Sequence, residues 1–250
     1  MTEFLVVLVA SFLAGATNAV AGGGTLITFP VLVWLGIDPI SANITNTVSL
    51  WTGSLFSALG FRDHVKKGKE HLKALLIPSI LGGFAGAYLL VKTPSNTFRI
   101  LIPFLVLFAT ILLMLNEKLA TWTKTYLKGR SYTLVFIAQF LTAVYGGYFG
   151  AGIGIIMLAS LGIVGITDIH IANGIKNILG MTINCIASVY FLFSGHVLWS
   201  YAFLMMLGFA LGGYAGARLS LRFDRKKVKL FVVTWGLLLS LFFFLKAYQA

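Results

Sequence analysis

The chain has 250 residues, 58% of them hydrophobic and only 10% charged, far less charge than a soluble domain carries. Nineteen Lys and Arg against 7 Asp and Glu give a formal net charge of +12. A soluble nucleic-acid binder is excluded, because the basic residues sit in loops between apolar runs, where they set topology and meet anionic headgroups. The single cysteine, Cys185, excludes an internal disulfide or a C-x-x-C site.

The chain starts MTEF, with an acid where a signal peptide carries positive charge. No A-x-A-like cleavage site follows, so the first apolar segment is expected to be retained. That segment, 4–35, is too long for one straight span of about 20 residues and is interrupted by AVAGGGTLITFP. The second, 43–61, opens on ANITN, Ala42 to Asn46, and leads to the basic loop FRDHVKKGKEHLK with Arg62, Lys66, Lys67, Lys69 and Lys73. The third, 72–91, contains GGFAGA, Gly82 to Ala87. The weakly basic TPSNTFR separates it from the fourth, 97–115, and a linker with Lys118, Lys124, Lys128 and Arg130 follows.

The fifth segment, 132–166, is again too long and again broken, at GGYFGAGIGIIML. The sixth, 170–193, opens on ANGIKN, Ala172 to Asn177, and includes Cys185, expected to pack among apolar neighbours. The loop SGHVLWS has no lysine or arginine. The seventh segment, 197–217, carries GGYAGA, Gly212 to Ala217, and the eighth is 228–247. Between them lie Arg218, Arg222, Arg225, Lys226, Lys227 and Lys229.

The matching motifs recur about 130 residues apart. The chain therefore reads as two copies of one unit, 1–116 and 131–250, joined by a basic cytoplasmic linker, 117–130. The three basic loops belong on the cytoplasmic side. Eight simple spans would put 218–229 on the wrong side. If segments one and five instead dip in and return, all three loops share a side. Each copy then crosses three times, and the copies are inverted. Each limb of the two breaks is expected to hold about a dozen residues, too short to span. The fold class is thus an all-α polytopic membrane protein of two inverted repeats. Each repeat has a glycine-broken re-entrant segment plus about three transmembrane helices. GGFAGA and GGYAGA are expected to be helix-packing faces. AGGGT and GAGIG are expected to be functional breaks, since consecutive glycines disfavour helix. Paired broken segments in inverted repeats point to a secondary transporter, with its site where the breaks meet.

AGATNAVAGGGTLITFPVL, ANITNTVSL and GGYFGAGIG together resemble the TauE/SafE sulfite exporter family, also called toluene sulfonate uptake permeases. The resemblance covers essentially the whole chain. It implies an inner-membrane, multi-pass carrier of sulfite, sulfonates, sulfoacetate or other small organic anions. One departure stands out: the second motif would commonly read GxGGG, but here Ile153 interrupts it, and no proline follows as Pro30 follows the first. The second break is therefore expected to be less sharp.

An anion carrier must replace water with hydrogen-bond donors and positive potential, and helix N-termini supply both. Gly22, Gly23, Gly24 and Thr25, with Asn18 before them, are the first-half candidates; Gly150, Gly152 and Gly154 are their counterparts. A second layer comprises Asn43, Thr45 and Asn46 in one half and Asn173, Lys176 and Asn177 in the other, with Asn184 further along the same face. Aligning TN with KN pairs Thr45 with Lys176. Two readings of Lys176 stay open. It snorkels to a nearby interface, six residues of helix from His170 advancing only about 9 Å, or it is an unpaired countercharge awaiting an anionic substrate.

No Asp or Glu lies centrally in any segment, which speaks against a cation pump or carboxylate relay. His64, His71, His170 and His196 show no metal-ligand spacing, and no nucleophile turn or H-E-x-x-H pair is present. Neither an enzymatic activity nor a cofactor or metal is expected. Trp51, Trp199 and Tyr201 read as packing or interface aromatics. The expected partners are a small anionic substrate and the lipid bilayer, not nucleic acid, with homo-oligomerisation open. The sequence reading is a secondary transporter, with export favoured. The alternatives are an anion channel and an importer of a sulfonate or carboxylate coupled to a cation.

Overall fold

The computed structural model describes residues 2–20, 22–126, 132–163, 166, 168–219 and 225–248. These form α1 (Thr2–Val20), α2 (Thr25–Trp34), α3 (Pro39–Gly60), α4 (Arg62–Lys67), α5 (Lys69–Lys92), α6 (Ser95–Tyr126), α7 (Tyr132–Tyr148), α8 (Ile153–Ile163), α9 (Ile169–Phe191), α10 (Trp199–Leu219) and α11 (Arg225–Tyr248). No strand occurs among the described residues. Helices satisfy their own backbone, as an apolar chain in lipid requires. Thr2–Ala19, Lys69–Lys92, Ser95–Leu119 and Trp199–Arg218 are long and apolar enough to cross a membrane.

The limbs of the broken segments are unequal. α1 has 19 residues and α7 has 17, whereas α2 has 10 and α8 has 11. The expectation of four equal short pieces is corrected: each break follows a nearly full-length helix, and only the returning limb is short. α6, 32 residues and about 48 Å long, continues through the first part of the linker. Lys128, Arg130 and Arg222 lie outside the described residues.

α3 and α9 begin alike. The Asp38 carboxylate accepts from Ile40 N at 3.1 Å, with Pro39 at the first helical position. Asp168 Oδ1 accepts from His170 N at 2.8 Å and Ile171 N at 3.2 Å. These caps stand 130 residues apart, and both helices then run unbroken. Asn43 therefore corresponds to Asn173, and Asn46 to Lys176. The alignment of Thr45 with Lys176 fails, because it needs an extra residue inside a continuous helix.

Contacts set the helix directions. Ser49, Thr52 and Ser57 on α3 donate to the carbonyls of Ala202, Met206 and Gly213, so α3 and α10 are parallel. Gly208, Gly212 and Gly216 of α10 meet Leu8, Phe12 and Ala16 of α1, also in parallel. α5 runs parallel to α7, with Gly82 against Phe140 and Gly86 against Val144. α3 and α9 are antiparallel, Ser54 lying by Gly180 and Phe61 by Gly174. α6 and α11 are antiparallel too: Ser240 donates to Pro103 O, and Lys229 Nζ lies 2.6 Å from Asn116 Oδ1.

The basic segments therefore gather at one end. There Lys229 meets Glu117 at 3.3 Å, and Gly60 packs on Ala217. At the opposite end Arg99 pairs with Asp38 at 3.2 Å, Ser41 Oγ lies 3.4 Å from His196 Nδ1, and Tyr201 donates to Glu3.

GGFAGA and GGYAGA are packing faces. An alanine Cβ at Gly82 would stand 2.5 Å from Phe140 O, and at Gly86 and Gly212 it would strike the carbonyls of Val144 and Phe12. Small residues let backbones approach where lipid offers no hydrophobic drive. Cys185, by contrast, is exposed on the outside of the bundle, not packed in its core as expected. Gly212→Ala should cost about 1–3 kcal/mol through overpacking. Gly180→Ala, with nothing nearer than 3.8 Å to its Cβ, should be neutral or stabilising. Thermal unfolding of the two variants in detergent checks this; equal melting temperatures would contradict the close packing of α10 on α1.

Candidate functional site

α1 stops because the chain turns through left-handed backbone that only glycine adopts easily, φ 79° at Gly22 and 87° at Gly23. α2 then starts, with Leu26 N donating to Gly23 O and Ile27 N to Gly24 O, both at 2.9 Å. Gly24 is needed for closeness: a Cβ there would lie 2.5 Å from Ala14 O, where the returning limb folds onto α1. The second break is equally sharp, with φ 81° at Gly150 and 78° at Gly152. Ile153 is the first residue of α8 and lies beyond the turn, so its interruption of the glycine run does not soften the break as expected. The two breaks touch, a Cβ on Gly22 falling 3.4 Å from Gly154 Cα.

Side chains of α3 and α9 hold these ends. Asn46 Oδ1 accepts from Thr28 Oγ1 at 2.5 Å, and its Nδ2 donates to Thr25 Oγ1 at 3.3 Å, fixing the first turn of α2. Asn43 Nδ2 donates to Tyr148 O at 2.8 Å, satisfying a terminal carbonyl of α7. Lys176 Nζ donates to Asn18 O at 2.9 Å and Ala19 O at 3.1 Å, in the last turn of α1. A cation suits the negative end of that helix dipole. Lys176 is only 2% exposed, and a Cβ on Gly154 would lie 3.1 Å from its Cδ. The snorkelling reading is overturned, since the ammonium ends inside the protein. It is not unpaired either, because it already holds the broken end of α1.

The expected residues divide. Gly22, Gly23, Gly24, Thr25, Asn46, Gly150, Gly152, Gly154 and Lys176 converge on the breaks. Asn43 reaches the end of α7, and Asn18 joins through its main-chain carbonyl. Thr45 turns elsewhere: its Oγ1 accepts from Leu198 N at 3.1 Å, in the loop before α10. Asn184 is buried two turns beyond Asn177.

Asn43 Oδ1, Asn173 Nδ2 and Oδ1, Asn177 Nδ2 and the Tyr145 hydroxyl are buried without a hydrogen-bond partner, as is Gln139 Oε1 on α7. Each such atom costs about 1–3 kcal/mol, and in a native structure it marks a place for a ligand, ion or water. Tyr145 was missed in the sequence reading. Nothing in the sequence marks it; in the structure it lies in the last turn of α7, where its carbonyl accepts from Phe149 N and Gly150 N to close the helix. Among the described residues Lys176 is the only charged side chain that is buried, and no group of three metal-ligating side chains forms. The arrangement offers one positive charge, amide donors and acceptors, and glycine backbone.

Backbone donation from Ile171 and His170 holds the Asp168 carboxyl below its ordinary 3.8, with His170 and His64 adding smaller electrostatic contributions against slight desolvation. A depressed carboxylate stabilises the fold above its unfolded pKa and loses that contribution as pH falls through the folded value. The melting-temperature deficit of Asp168→Ala should therefore be constant from pH 7 to 5 and should shrink only below 3.8. A deficit that stays undiminished well below that value would show that the carboxylate charge does not carry the cap.

The family profile described as sulfite exporter TauE/SafE matches residues 7–243. A "Probable membrane transporter protein" of Haemophilus influenzae is 30% identical over 92% of this chain and 89% of its own length. The "Probable membrane transporter protein YfcA" of Escherichia coli K12 is 27% identical over 92% of this chain and 85% of its own. The "Probable membrane transporter protein ORF9" of a Sinorhizobium species is 30% identical over 93% and 89%. No solved structure matches.

Proposed function

The chain belongs to the sulfite exporter TauE/SafE family, a multi-pass membrane transporter and not an enzyme, and from that premise we propose that it is a secondary carrier of small sulfur-containing or organic anions across the inner membrane. Sulfite, sulfonates and sulfoacetate are the first substrates to test. The observation that carries the reading is the buried ammonium of Lys176 beside unpartnered amides where two glycine breaks touch. A charge inside a membrane protein is costly and marks a pathway. The site residues Asn43, Asn46, Asn173, Lys176 and Asn177 are at most 2% exposed. Such closure suits a carrier that occludes its substrate better than an open channel.

The arrangement we assign is two inverted repeats, 1–116 and 131–250, linked by 117–130. The opposite directions of α3 and α9, which occupy corresponding positions, support it. The end that gathers the basic segments is the cytoplasmic one by the positive-inside rule. A cysteine placed at Ser194 should react with an impermeant reagent added to intact cells, and cysteines at Lys66 and Glu117 should not. Reaction at all three positions would refute the common cytoplasmic end.

The charge test concerns Lys176. Purified protein should gain thermal stability with sulfite, a sulfonate or sulfoacetate. Lys176→Ala should abolish the gain, while Lys176→Arg should keep part of it because charge survives. In proteoliposomes an uncoupled monoanion should leave faster when the interior is negative, by about 2.3 kcal/mol of driving force per 100 mV. That direction favours export, as no acidic residue is buried among the described residues to couple a cation. Undiminished binding by Lys176→Ala would sink the anion reading.

A further inference from the structure

The two halves solve the same capping problem differently, and the difference frees one side chain. Asn43 Nδ2 holds the Tyr148 carbonyl at the end of α7. At the 130-residue offset shared by the Asp38 and Asp168 caps, the equivalent pair is Asn173 and the Asn18 carbonyl. That carbonyl is taken instead by Lys176 Nζ at 2.9 Å. Lys176 stands where the first half has Asn46, whose shorter amide reaches only its own returning limb, at Thr25 and Thr28. The longer lysine crosses to α1 and displaces Asn173 from the role that Asn43 keeps.

Asn173 is 0% exposed, and neither its Nδ2 nor its Oδ1 has a partner. Which end of the amide is nitrogen does not matter, because both ends are free. It lies three residues before Lys176 and four before Asn177, whose Nδ2 is also unpartnered. These positions share one helix face. An anion's oxygens can accept from Lys176, Asn177 and the Asn173 amide N–H. The Asn173 Oδ1 can only accept. An anion with bare oxygens alone would leave it buried and unsatisfied.

We infer that Asn173 is a specificity-determining residue, selecting anions that carry their own hydrogen-bond donor, a hydroxyl, amine or protonated acid group, close to the anionic oxygens. This rests on the proposed anion site at Lys176 and narrows its substrate class. A site built around a substrate hydroxyl discriminates against the analogue lacking it far more than an apolar pocket discriminates by size.

The test is calorimetric titration of the full chain in detergent with 2-hydroxyethanesulfonate and ethanesulfonate, equal in charge and different by one hydroxyl. The hydroxylated probe should bind at least about tenfold more tightly. Asn173→Ala should bring the two affinities to within about twofold of each other. Equal binding by the unmodified protein, or a preference that survives Asn173→Ala, overturns the inference and leaves the anion reading standing. Binding of neither probe also overturns it. The anion reading is then decided separately by sulfite and Lys176→Ala. The unmodified protein alone can refute the inference, so a misfolded variant does not shelter it.

Discussion

The ammonium of Lys176 against the carbonyls of Asn18 and Ala19 is the contact on which the centre of the molecule depends. Breaking a helix in a membrane leaves terminal carbonyls with no water to bond. Burying an ammonium there is costly on its own. Each problem answers the other, because the carbonyl end of α1 is the negative pole of its dipole. The contact spans the sequence from the first broken segment to the sixth and locks α9 against the turn at Gly22. The Asn18 and Ala19 carbonyls are neutral acceptors and bring no negative charge of their own to the ammonium. An anion arriving at the break competes with these carbonyl oxygens for the ammonium. That favours binding firm enough to desolvate the ion and weak enough to release it.

Much of this was legible in the sequence, and particular residues show why. The glycine runs needed no neighbour to be read. Three glycines in an apolar segment disfavour helix whatever surrounds them, and the backbone at Gly22 and Gly23 is left-handed. GGFAGA and GGYAGA were legible for the same reason: close helix contact requires small residues. The motif spacing of 130 residues carried the internal correspondence, and the matching Asp38 and Asp168 caps fixed its register.

What sequence could not supply was the partner of each polar side chain. Lys176 reads as a lone charge because Asn18 lies 158 residues away, and only the crossing of α9 with α1 joins them. Thr45 sits in a motif whose neighbours face the breaks, yet its own angular position on α3 turns it to Leu198. Tyr145 carries no mark in the sequence, since its unpartnered hydroxyl is a property of the packed bundle. Ile153 misled differently. It breaks a run of glycine letters, whereas the physical requirement is left-handed φ at Gly150 and Gly152, which Ile153 does not touch.

The remaining asymmetry lies in how the two site-bearing helices are held. α3 is fastened to α10 by three hydroxyl-to-carbonyl bonds, from Ser49, Thr52 and Ser57. The equivalent positions on α9 are Leu179, Thr182 and Ala187, and Thr182 bonds only within its own helix, to Ile178 O at 3.0 Å. α9 instead meets α5 beside an apolar groove lined by Leu81, Phe84, Ile186 and Phe193. Each of these α3 hydroxyls shares its single proton with a carbonyl of its own helix, at 2.7, 2.8 and 2.7 Å, so its bond to α10 contributes no more than the order of 0.6 kcal/mol typical at membrane depth. The helix that carries Asn173, Lys176 and Asn177 has no hydroxyl at two of the three equivalent positions, Leu179 and Ala187. The two halves of the site are thus held differently: the charged half bonds across to the end of α1, and the Asn46 half is bonded to its own returning limb.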